Sequence, residues 1–419
     1  MAKPMDRGDR EFSGTAPHER PVPRISMHAF CQSGENQSAL QLAAEDRRLA
    51  KASVKIELGG ISGAVQHYTG QVTPNLLIVE TGSHGGEALA EIDRLAEVCD
   101  PATKVIVIGN ANDVELYREL MRRGVSEYLV GPVKPLHLIE TVSGLYLDPD
   151  AAPIGRVISF IAARGGAGAS TLSHNIAWYI AEQLAINTVL VDLDLPFGTA
   201  SLNFDEEPGQ GVADALAAPE RLDEVLLERV LQKVGERLSL FSAPAVLERE
   251  YETNPESFTA VIDAVRAIAP CVVLDLPHIW SPWIRELLLR SDDIVIVATA
   301  DLPALRNTKA MYDLLRQSRR NDAAPRLVLN QDGIPKRPQI PVKDFGQTLE
   351  LNPSLVLPFE PALFGAASNN GQMVFESHPN AAVSLALAQF AGTLTGRGGA
   401  ASTKVANPLL SLLIGRKRA

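Results

Sequence analysis

Residues 157–171 read VISFIAARGGAGAST, an apolar run followed at once by a glycine-rich turn and a pair of hydroxyl residues. The apolar run is typical of a buried parallel strand, and the turn is typical of a loop that binds phosphate at the start of a helix. Such a loop uses backbone N–H groups, and Gly165, Gly166 and Gly168 can give it the necessary shape. The stretch therefore predicts a strand, a phosphate-binding loop and a helix, in that order.

The loop departs from the standard GxxxxGK[ST] pattern at two positions. Ala163 replaces the first glycine, and Ala169 stands where a lysine would neutralise the β- and γ-phosphates. Ala167 completes the turn, Ser170 can still ligate Mg²⁺, and Thr171 can cap the helix or contact a phosphate. On this motif alone, a purely structural strand-to-helix turn remains an open alternative.

Three carboxylates follow predicted strands in the same half of the chain. Asp192 and Asp194 end the run VLVDLDL, and Asp275 ends CVVLDLP. The carboxyl ends of parallel strands meet where such sheets bind ligands, and carboxylates there can hold Mg²⁺ and its waters. Each aspartate alone could equally form a turn at a strand end. Their order behind the loop favours a shared site.

Composition excludes several classes of protein. The 419 residues suggest two or three domains, and the net charge of -11 argues against a surface that binds nucleic acid. The three cysteines, Cys31, Cys99 and Cys271, are widely spaced without a CxxC motif, which argues against a disulfide framework or a zinc site. No apolar run is long enough for a membrane span. We expect a cytoplasmic protein.

The chain divides into two predicted α/β domains. The first has five strand-like runs separated by helical spacing at 36–50, 86–99, 113–123 and 135–146, which predicts a five-stranded parallel sheet. The second has seven longer apolar runs, which predict a larger doubly wound sheet covered on both faces. The predicted segments are a disordered arm (1–24), the first domain (25–147), a linker (148–154), the second domain (155–397) and a tail (398–419).

The tail ends in NPLLSLLIGRKRA, a short apolar turn before a basic cluster. This pattern fits a capping helix or a frayed end, and it also fits a helix that binds a membrane surface or a partner. The sequence leaves both interpretations open.

Several motifs together resemble one family. RGGAGAST followed by HNIA, the VLVDLDL and VVLDLP strands, VATADLPALRNTKAMYDLL, VLNQ and LPFEPALFGAASNNGQMV are similar to the MinD/ParA group of deviant Walker ATPases. Within that group they most resemble the CpaE/TadZ proteins of Flp (tight adherence) pilus assembly. The resemblance covers about 155–390 and implies a P-loop NTPase fold in the second domain.

The resemblance also implies roles for the loop and the carboxylates. Arg164 falls where the group has a signature lysine that reaches across a nucleotide-sandwich dimer. Ser170 would ligate Mg²⁺, and Asp275 would act on Mg²⁺ through water. Asp194 would orient the attacking water, with Asp192 beside it.

Three further positions correspond to the family's base-binding segment. Asn330 falls where the family contacts adenine, and Pro358 and Phe359 lie in the segment that packs beside the base. The implied cofactors are ATP and Mg²⁺. Because losing one strong electrostatic group commonly costs on the order of 10²- to 10³-fold in rate, Ala169 predicts slow hydrolysis or none.

The function implied by the resemblance is a nucleotide-binding localisation or scaffold protein of pilus assembly, acting as a homodimer. Its implied partners are the pilus secretion ATPase and other pilus assembly proteins, with peripheral membrane contact through the tail and a polar or inner-membrane location. The alternative is an active MinD/ParA-type ATPase that drives subcellular positioning by cycles of hydrolysis. Nucleic acid is not an expected partner.

The first domain resembles a response-regulator receiver that lacks the phosphorylation residues. Cys31 and Gln32 follow the first strand in place of an acidic pair, and Glu80 ends the third strand in place of the phosphorylated aspartate. Gly131 precedes Pro132 where a lysine is required. We interpret this domain as an interaction or dimerisation module; Glu80 as a built-in phosphate mimic is the alternative.

Overall fold

The computed structural model describes residues 22–146, 154–207, 209, 211–244, 246–248 and 254–396. The predicted tail, the predicted linker apart from residue 154, and the first 21 residues of the predicted arm lie outside this part of the chain. Val22, inside the range assigned to the arm, is 1% exposed, and its N–H donates to the Arg48 carbonyl at 2.8 Å. Val22, near the end of the range predicted as a disordered arm, is therefore packed against the first domain.

The first domain contains the predicted five-stranded parallel sheet, with strand order β2-β1-β3-β4-β5. Its strands are β1 (Ser26–Cys31), β2 (Ser53–Leu58), β3 (Leu76–Thr81), β4 (Lys104–Gly109) and β5 (Glu127–Val130). This is the order of flavodoxin-like folds, in which the chain reverses direction across the sheet next to β1. The prediction of a receiver-like α/β fold is confirmed.

Five helices cover the two faces of this sheet: α1 (Gly34–Ala44), α2 (Gly60–Tyr68), α3 (Gly85–Ala96), α4 (Val114–Arg122) and α5 (Pro135–Leu145). Ser33 caps α1 and Asp113 caps α4 through side-chain oxygens. The predicted helix at 36–50 is shorter than expected, because α1 ends at Ala44 and a 3₁₀ turn follows at Arg47–Leu49. Helix α2 was not predicted from the sequence.

The second domain contains an eight-stranded sheet with order β13-β12-β11-β6-β10-β7-β9-β8. Its strands are β6 (Arg156–Ala162), β7 (Thr188–Asp192), β8 (Gln232–Lys233), β9 (Leu238–Phe241), β10 (Cys271–Leu276), β11 (Asp293–Thr299), β12 (Arg326–Asp332) and β13 (Leu355–Pro358). All neighbours pair in parallel except β8, an antiparallel edge strand that the sequence did not predict. The doubly wound fold class is confirmed.

The helices of this domain are α6 (Ala169–Trp178), α7 (Ala200–Asn203), α8 (Gly211–Ala217), α9 (Glu224–Val230), α10 (Pro255–Ile268), α11 (Pro282–Arg290), α12 (Leu302–Ser318), α13 (Val342–Leu349), α14 (Pro361–Asn369), α15 (Val374–Ser377) and α16 (Ala382–Leu394). A π-helical turn, Tyr179–Gln183, extends α6. The described helices include none that is long and apolar enough to cross a membrane.

The central strand β6 explains where a ligand site can form. Val157 and Ile161 pack into the core on one face of the sheet, and Ile158 and Phe160 pack into the core on the other. Burial on both faces is what the continuous apolar run predicted. Because β10 and β11 flank β6 and the chain winds outward in both directions, a crevice opens at the carboxyl end of β6.

Candidate functional site

The loop at this crevice joins β6 to α6 through two glycines with positive φ. Gly166 has φ +78° and Gly168 has φ +93°, in the left-handed region that L side chains rarely adopt. A Cβ at Gly168 would lie 2.5 Å from Nδ2 of Asn330. Gly168 is therefore required both by its backbone conformation and by the close approach of Asn330.

Side chains from other elements hold the carbonyl groups of this segment. His278 donates to Ala162 O (2.9 Å), Asn307 to Ala163 O (2.8 Å), Gln331 to Gly166 O (2.9 Å) and Asn330 to Ala167 O (2.8 Å). Within the described residues, no side chain caps α6. The first N–H groups of that helix thus keep their capacity to bind an anion.

A cleft of about 110 Å³ lies beside the end of the loop. Gly168 and Thr171 line it from the loop side, and Asn330, Pro358 and Phe359 line it from β12 and β13. The structure therefore brings together the predicted loop residues and the three positions predicted to lie beside a base. An apolar cavity of about 370 Å³ lies at the start of the loop, where Ala162, Ala163 and His278 contribute to its lining.

Asp192 and Asp275 lie in register on neighbouring strands β7 and β10. Asp192 is 1% exposed, and its two oxygens accept the N–H groups of Asp194 and Ala200, both at 3.1 Å. Burial, reinforced by the charge of Asp275, raises the pKa of Asp192 to about 7. The carboxyl group of Asp192 therefore shapes the following loop.

Asp275 has one engaged oxygen and one free oxygen. Its Oδ2 lies 3.1 Å from Nε2 of His174, which is fully buried. Because Asn203 Nδ2 donates to His174 Nδ1 at 2.8 Å, the imidazole donates its Nε2–H to Asp275. Oδ1 of Asp275 is buried and has no hydrogen-bond partner in the described part of the chain. An unpaired buried oxygen of this kind fits a water-mediated contact with a cation.

Asp194 is half-buried at the start of the loop that follows β7. It accepts the N–H of Phe197 at 3.3 Å, and burial raises its pKa above the ordinary value for an aspartate. Ser170 is also half-buried in the first turn of α6, whereas Ala169 is 5% exposed and packs in the core.

The structure places Arg164 against its own chain. Its Nη1 lies 2.8 Å from Oδ2 of Asp301, and Nη2 of Arg337 lies at the same distance from the same oxygen. Burial would raise the pKa of Asp301, but hydrogen bonds from Thr299, the backbone of Ala304 and Arg164 outweigh it and lower the pKa. Arg164 is 39% exposed, so it remains accessible from solvent.

In the first domain, the chain's own groups surround Glu80 at the end of β3. Its oxygens accept the N–H groups of Gln32 (2.7 Å) and Ser33 (3.0 Å) and the side-chain amide of Asn36 (2.8 Å). Burial would raise the pKa of Glu80, but these hydrogen bonds outweigh it and lower the pKa. The carboxylate is therefore a structural anion that three hydrogen bonds hold at the end of β3.

Sequence reasoning missed several side chains at the second-domain site. His174 lies inside the quoted HNIA stretch and Asp301 inside VATADLP, but neither motif indicates that these side chains contact Asp275 and Arg164. Asn307 and Gln331 also lie inside quoted motifs, and Asn203 lies outside them, but no motif indicates what these three side chains contact. Their roles follow only from the packing of α7, α12 and β12 around the loop.

Comparison with known proteins agrees with this fold, although no family model matches the chain. A ParA family ATPase from Chlorobium tepidum is 24% identical, with 56% of this chain and 98% of that chain covered and a TM-score of 0.52. MinD from Pyrococcus horikoshii, solved with Mg-ADP, is 18% identical, with 59% and 100% covered and a TM-score of 0.51. At these identities the likeness shows the fold alone.

Two comparisons have higher sequence identity. The pilus assembly protein CpaE from Caulobacter crescentus is 49% identical, covering 31% of this chain and 98% of that chain, with a TM-score of 0.30. An uncharacterised protein of Mycobacterium tuberculosis is 31% identical over 163 residues, 38% of this chain. The chain covers 44% of that relative, less than half of its length.

The sheet order and the loop after β6 define the second domain as a P-loop NTPase fold of the MinD/ParA type. Over 31% of its length, the chain is in addition similar in sequence to the pilus assembly protein CpaE.

Proposed function

We propose that this chain binds ATP with Mg²⁺ and acts as a nucleotide-regulated localisation or scaffold protein of Flp pilus assembly. One observation carries the nucleotide half: the uncapped start of α6 and the left-handed Gly168 adjoin a cleft lined by Asn330, Pro358 and Phe359. In this proposal the backbone of residues 165–171 binds the phosphates and the cleft receives the base.

The residues present fit a magnesium ion. The Ser170 hydroxyl would be a direct ligand, and Asp275 would act through water with its unpaired Oδ1. Magnesium would supply positive charge to the β- and γ-phosphates. Asp194 would hold the attacking water, and Asp192 would keep the adjoining loop in place through its two backbone contacts.

The proposed rate of hydrolysis is low because the loop has no lysine. Ala169 offers no charge to the phosphates, and the nearby Arg164 is engaged with Asp301. Binding depends less on the lysine, since backbone amides, Mg²⁺ and base contacts contribute to it as well.

The pilus half of the proposal rests on the resemblance to CpaE from Caulobacter crescentus, which is described as a pilus assembly protein. The chain would act as a homodimer in which Arg164 reaches the partner's nucleotide. The first domain would contact the pilus secretion ATPase and other pilus assembly proteins. A cytoplasmic, polar or inner-membrane location and membrane contact through the tail belong to the same proposal.

An active MinD/ParA-type ATPase that drives positioning is the second candidate. Asp194 favours it, because a half-buried carboxylate with a raised pKa is suited to proton transfer from water. The two candidates differ in turnover. Under the scaffold proposal, steady-state hydrolysis is well below about 1 per second and Ala169→Lys raises it on the order of 10²-fold. A wild-type rate near about 1 per second that Asp194→Ala abolishes would establish the second candidate.

A further inference from the structure

A short segment of the first domain carries two arginines, with side chains only 13% and 4% exposed, that the proposed function does not use. The segment is Asp46 together with the 3₁₀ turn Arg47–Leu49, between α1 and β2. Arg48 binds the carboxylate of Asp46 through Nε at 2.7 Å and Nη2 at 2.9 Å. Arg47 has its hydrogen-bonding partners in the second domain.

The guanidinium of Arg47 is satisfied by three groups of that domain. Nε lies 2.9 Å from Oδ2 of Asp322, Nη2 lies 3.1 Å from Oδ1 of Asp292, and Nη1 donates to the Arg290 carbonyl at 3.0 Å. The side chains of Arg47, Asp322 and Asp292 are only 13%, 9% and 4% exposed. Ions this far from water are stable only when their partners are in place.

Two further contacts cross between the domains at the same place. Nη2 of Arg48 lies 3.3 Å from Oδ1 of Asp322, and Asn321 donates its side-chain amide to Asp46 at 3.0 Å. Arg319 also binds Asp322 at 3.1 Å, so this carboxylate is shared by arginines of both domains. The contacts therefore form one network.

The network lies at the C-terminal ends of two helices. Arg290 is the last residue of α11, and Arg319 follows the last residue of α12. Unpaired carbonyls at a helix C-terminus carry partial negative charge, which favours arginine there. The site therefore attracts Arg47 through carbonyl groups as well as through carboxylates.

The same two helices begin near the loop after β6. Helix α12 is capped by Asp301, which binds Arg164 of the loop, and the residues just before α11 include His278, which binds Ala162. With 17 residues, α12 spans about 25 Å between these ends. A domain held at the far end of α12 is thus connected to the loop by a rigid element.

We propose that residues 46–48 form an interdomain clasp: they dock the first domain onto the C-terminal ends of α11 and α12 and hold the two domains as one body. The partner of this surface is the chain's own first domain. The clasp fixes the distance between the receiver-like domain and the loop. This proposal does not depend on whether the chain binds nucleotide.

The test is the distribution of distances between spin labels in the full-length chain. Labels go on Glu115→Cys, at an exposed position of the first domain, and on Lys309→Cys, where the side chain in the second domain is 45% exposed, with Cys99→Ser to leave the buried Cys31 and Cys271. If the clasp holds the two domains together, the labelled chain with wild-type residues 46–48 should give one narrow distribution of distances. Arg47→Gln, which removes the charge and the guanidinium but keeps a polar side chain, should lose the narrow distribution, and Arg47→Glu should lose it completely.

Arg123→Gln is the matched control, because the ion-pair partners of Arg123 in the described part of the chain, Asp93 and Glu119, both lie in the first domain. It should leave the distribution narrow. Circular dichroism of each variant confirms that both domains remain folded. A broad distribution in the chain with an intact clasp, or an unchanged narrow one in folded Arg47→Gln and Arg47→Glu, would overturn the proposal.

Discussion

Gly168 shows how one backbone position determines the shape of the candidate site. Its left-handed φ turns the chain into α6, and its missing side chain lets Asn330 reach the carbonyl of Ala167. The neighbouring Gly165 has no such requirement, since a Cβ there would meet only His278, at 3.9 Å. These two glycines therefore form a matched pair for mutation.

We expect Gly168→Ala to lower the free energy of unfolding by about 1–3 kcal/mol, because it combines backbone strain with a clash against Asn330. Gly165→Ala should change it by less than about 1 kcal/mol. Urea denaturation of both variants measures the difference. Equal losses in the two variants would contradict this account of the loop.

Glu80 is the corresponding case in the first domain. Its pKa is lowered in the folded state, so its contribution to stability is complete above its unfolded pKa, near 4.5. That contribution is lost as the pH falls through the lower folded value. A lowered pKa is usual for a carboxylate that accepts several hydrogen bonds.

Glu80→Gln should therefore lower the free energy of unfolding by about 2 kcal/mol at neutral pH, since an amide cannot accept the three hydrogen bonds from Gln32, Ser33 and Asn36. The deficit should shrink as the wild-type carboxylate becomes protonated below its unfolded pKa. Unfolding curves from neutral to acidic pH test this, with the exposed Glu87→Gln as control. A deficit that stays constant over the whole range would refute the assignment.

At the scale of elements, a line of hydrogen bonds connects α14 to β10 through the core. Ser368 of α14 donates to Asn203 Oδ1 at 3.1 Å, Asn203 donates to His174, and His174 donates to Asp275. His174 is thus the link between the helix after the loop and the carboxylate on the neighbouring strand. Without it, Asn203 loses an acceptor and buried Asp275 loses its donor.

His174→Ala should lower the free energy of unfolding by about 3 kcal/mol, because it leaves a buried carboxylate unpaired and opens a cavity. His84→Ala is the control, since His84 is exposed and makes no capping bond. Chemical denaturation of the two variants provides the comparison. A loss no larger than that of His84→Ala would show that the hydrogen-bond line contributes nothing.

Much of the fold could be predicted from sequence, because buried parallel strands and glycine-rich turns have local patterns. The exceptions have physical reasons. Helix α2 begins at Gly60 next to a second glycine with positive φ, which reads as a turn, and β8 has only two residues. The pairing of Arg164 with Asp301 and of His174 with Asp275 joins residues more than a hundred positions apart. No local pattern encodes such contacts.

At the scale of the whole molecule, the proposed dimer depends on whether Arg164 can leave Asp301. A nucleotide from a partner chain would have to compete with this ion pair, which is partly exposed and therefore weak. Arg337 binds the same carboxylate oxygen but lies outside the loop. Arg337→Ala therefore serves as the control for Arg164→Ala.

Light scattering of the full-length chain should show a doubled mass when ATP analogue and Mg²⁺ are added. Arg164→Ala should remain monomeric under the same conditions, whereas Arg337→Ala should still dimerise. If Arg164→Ala dimerised as readily as the wild type, Arg164 would have no part in the interface.

In the proposed function, the loop binds nucleotide through its backbone although Ala169 replaces the lysine. Calorimetric titration of the wild-type chain with a non-hydrolysable ATP analogue and Mg²⁺ tests it most directly. We expect saturable binding with a Kd below about 1 mM, and a markedly weaker Kd for Gly168→Ala than for Gly165→Ala. An absence of binding to the folded wild-type chain at millimolar analogue, with binding restored by Ala169→Lys, would contradict it.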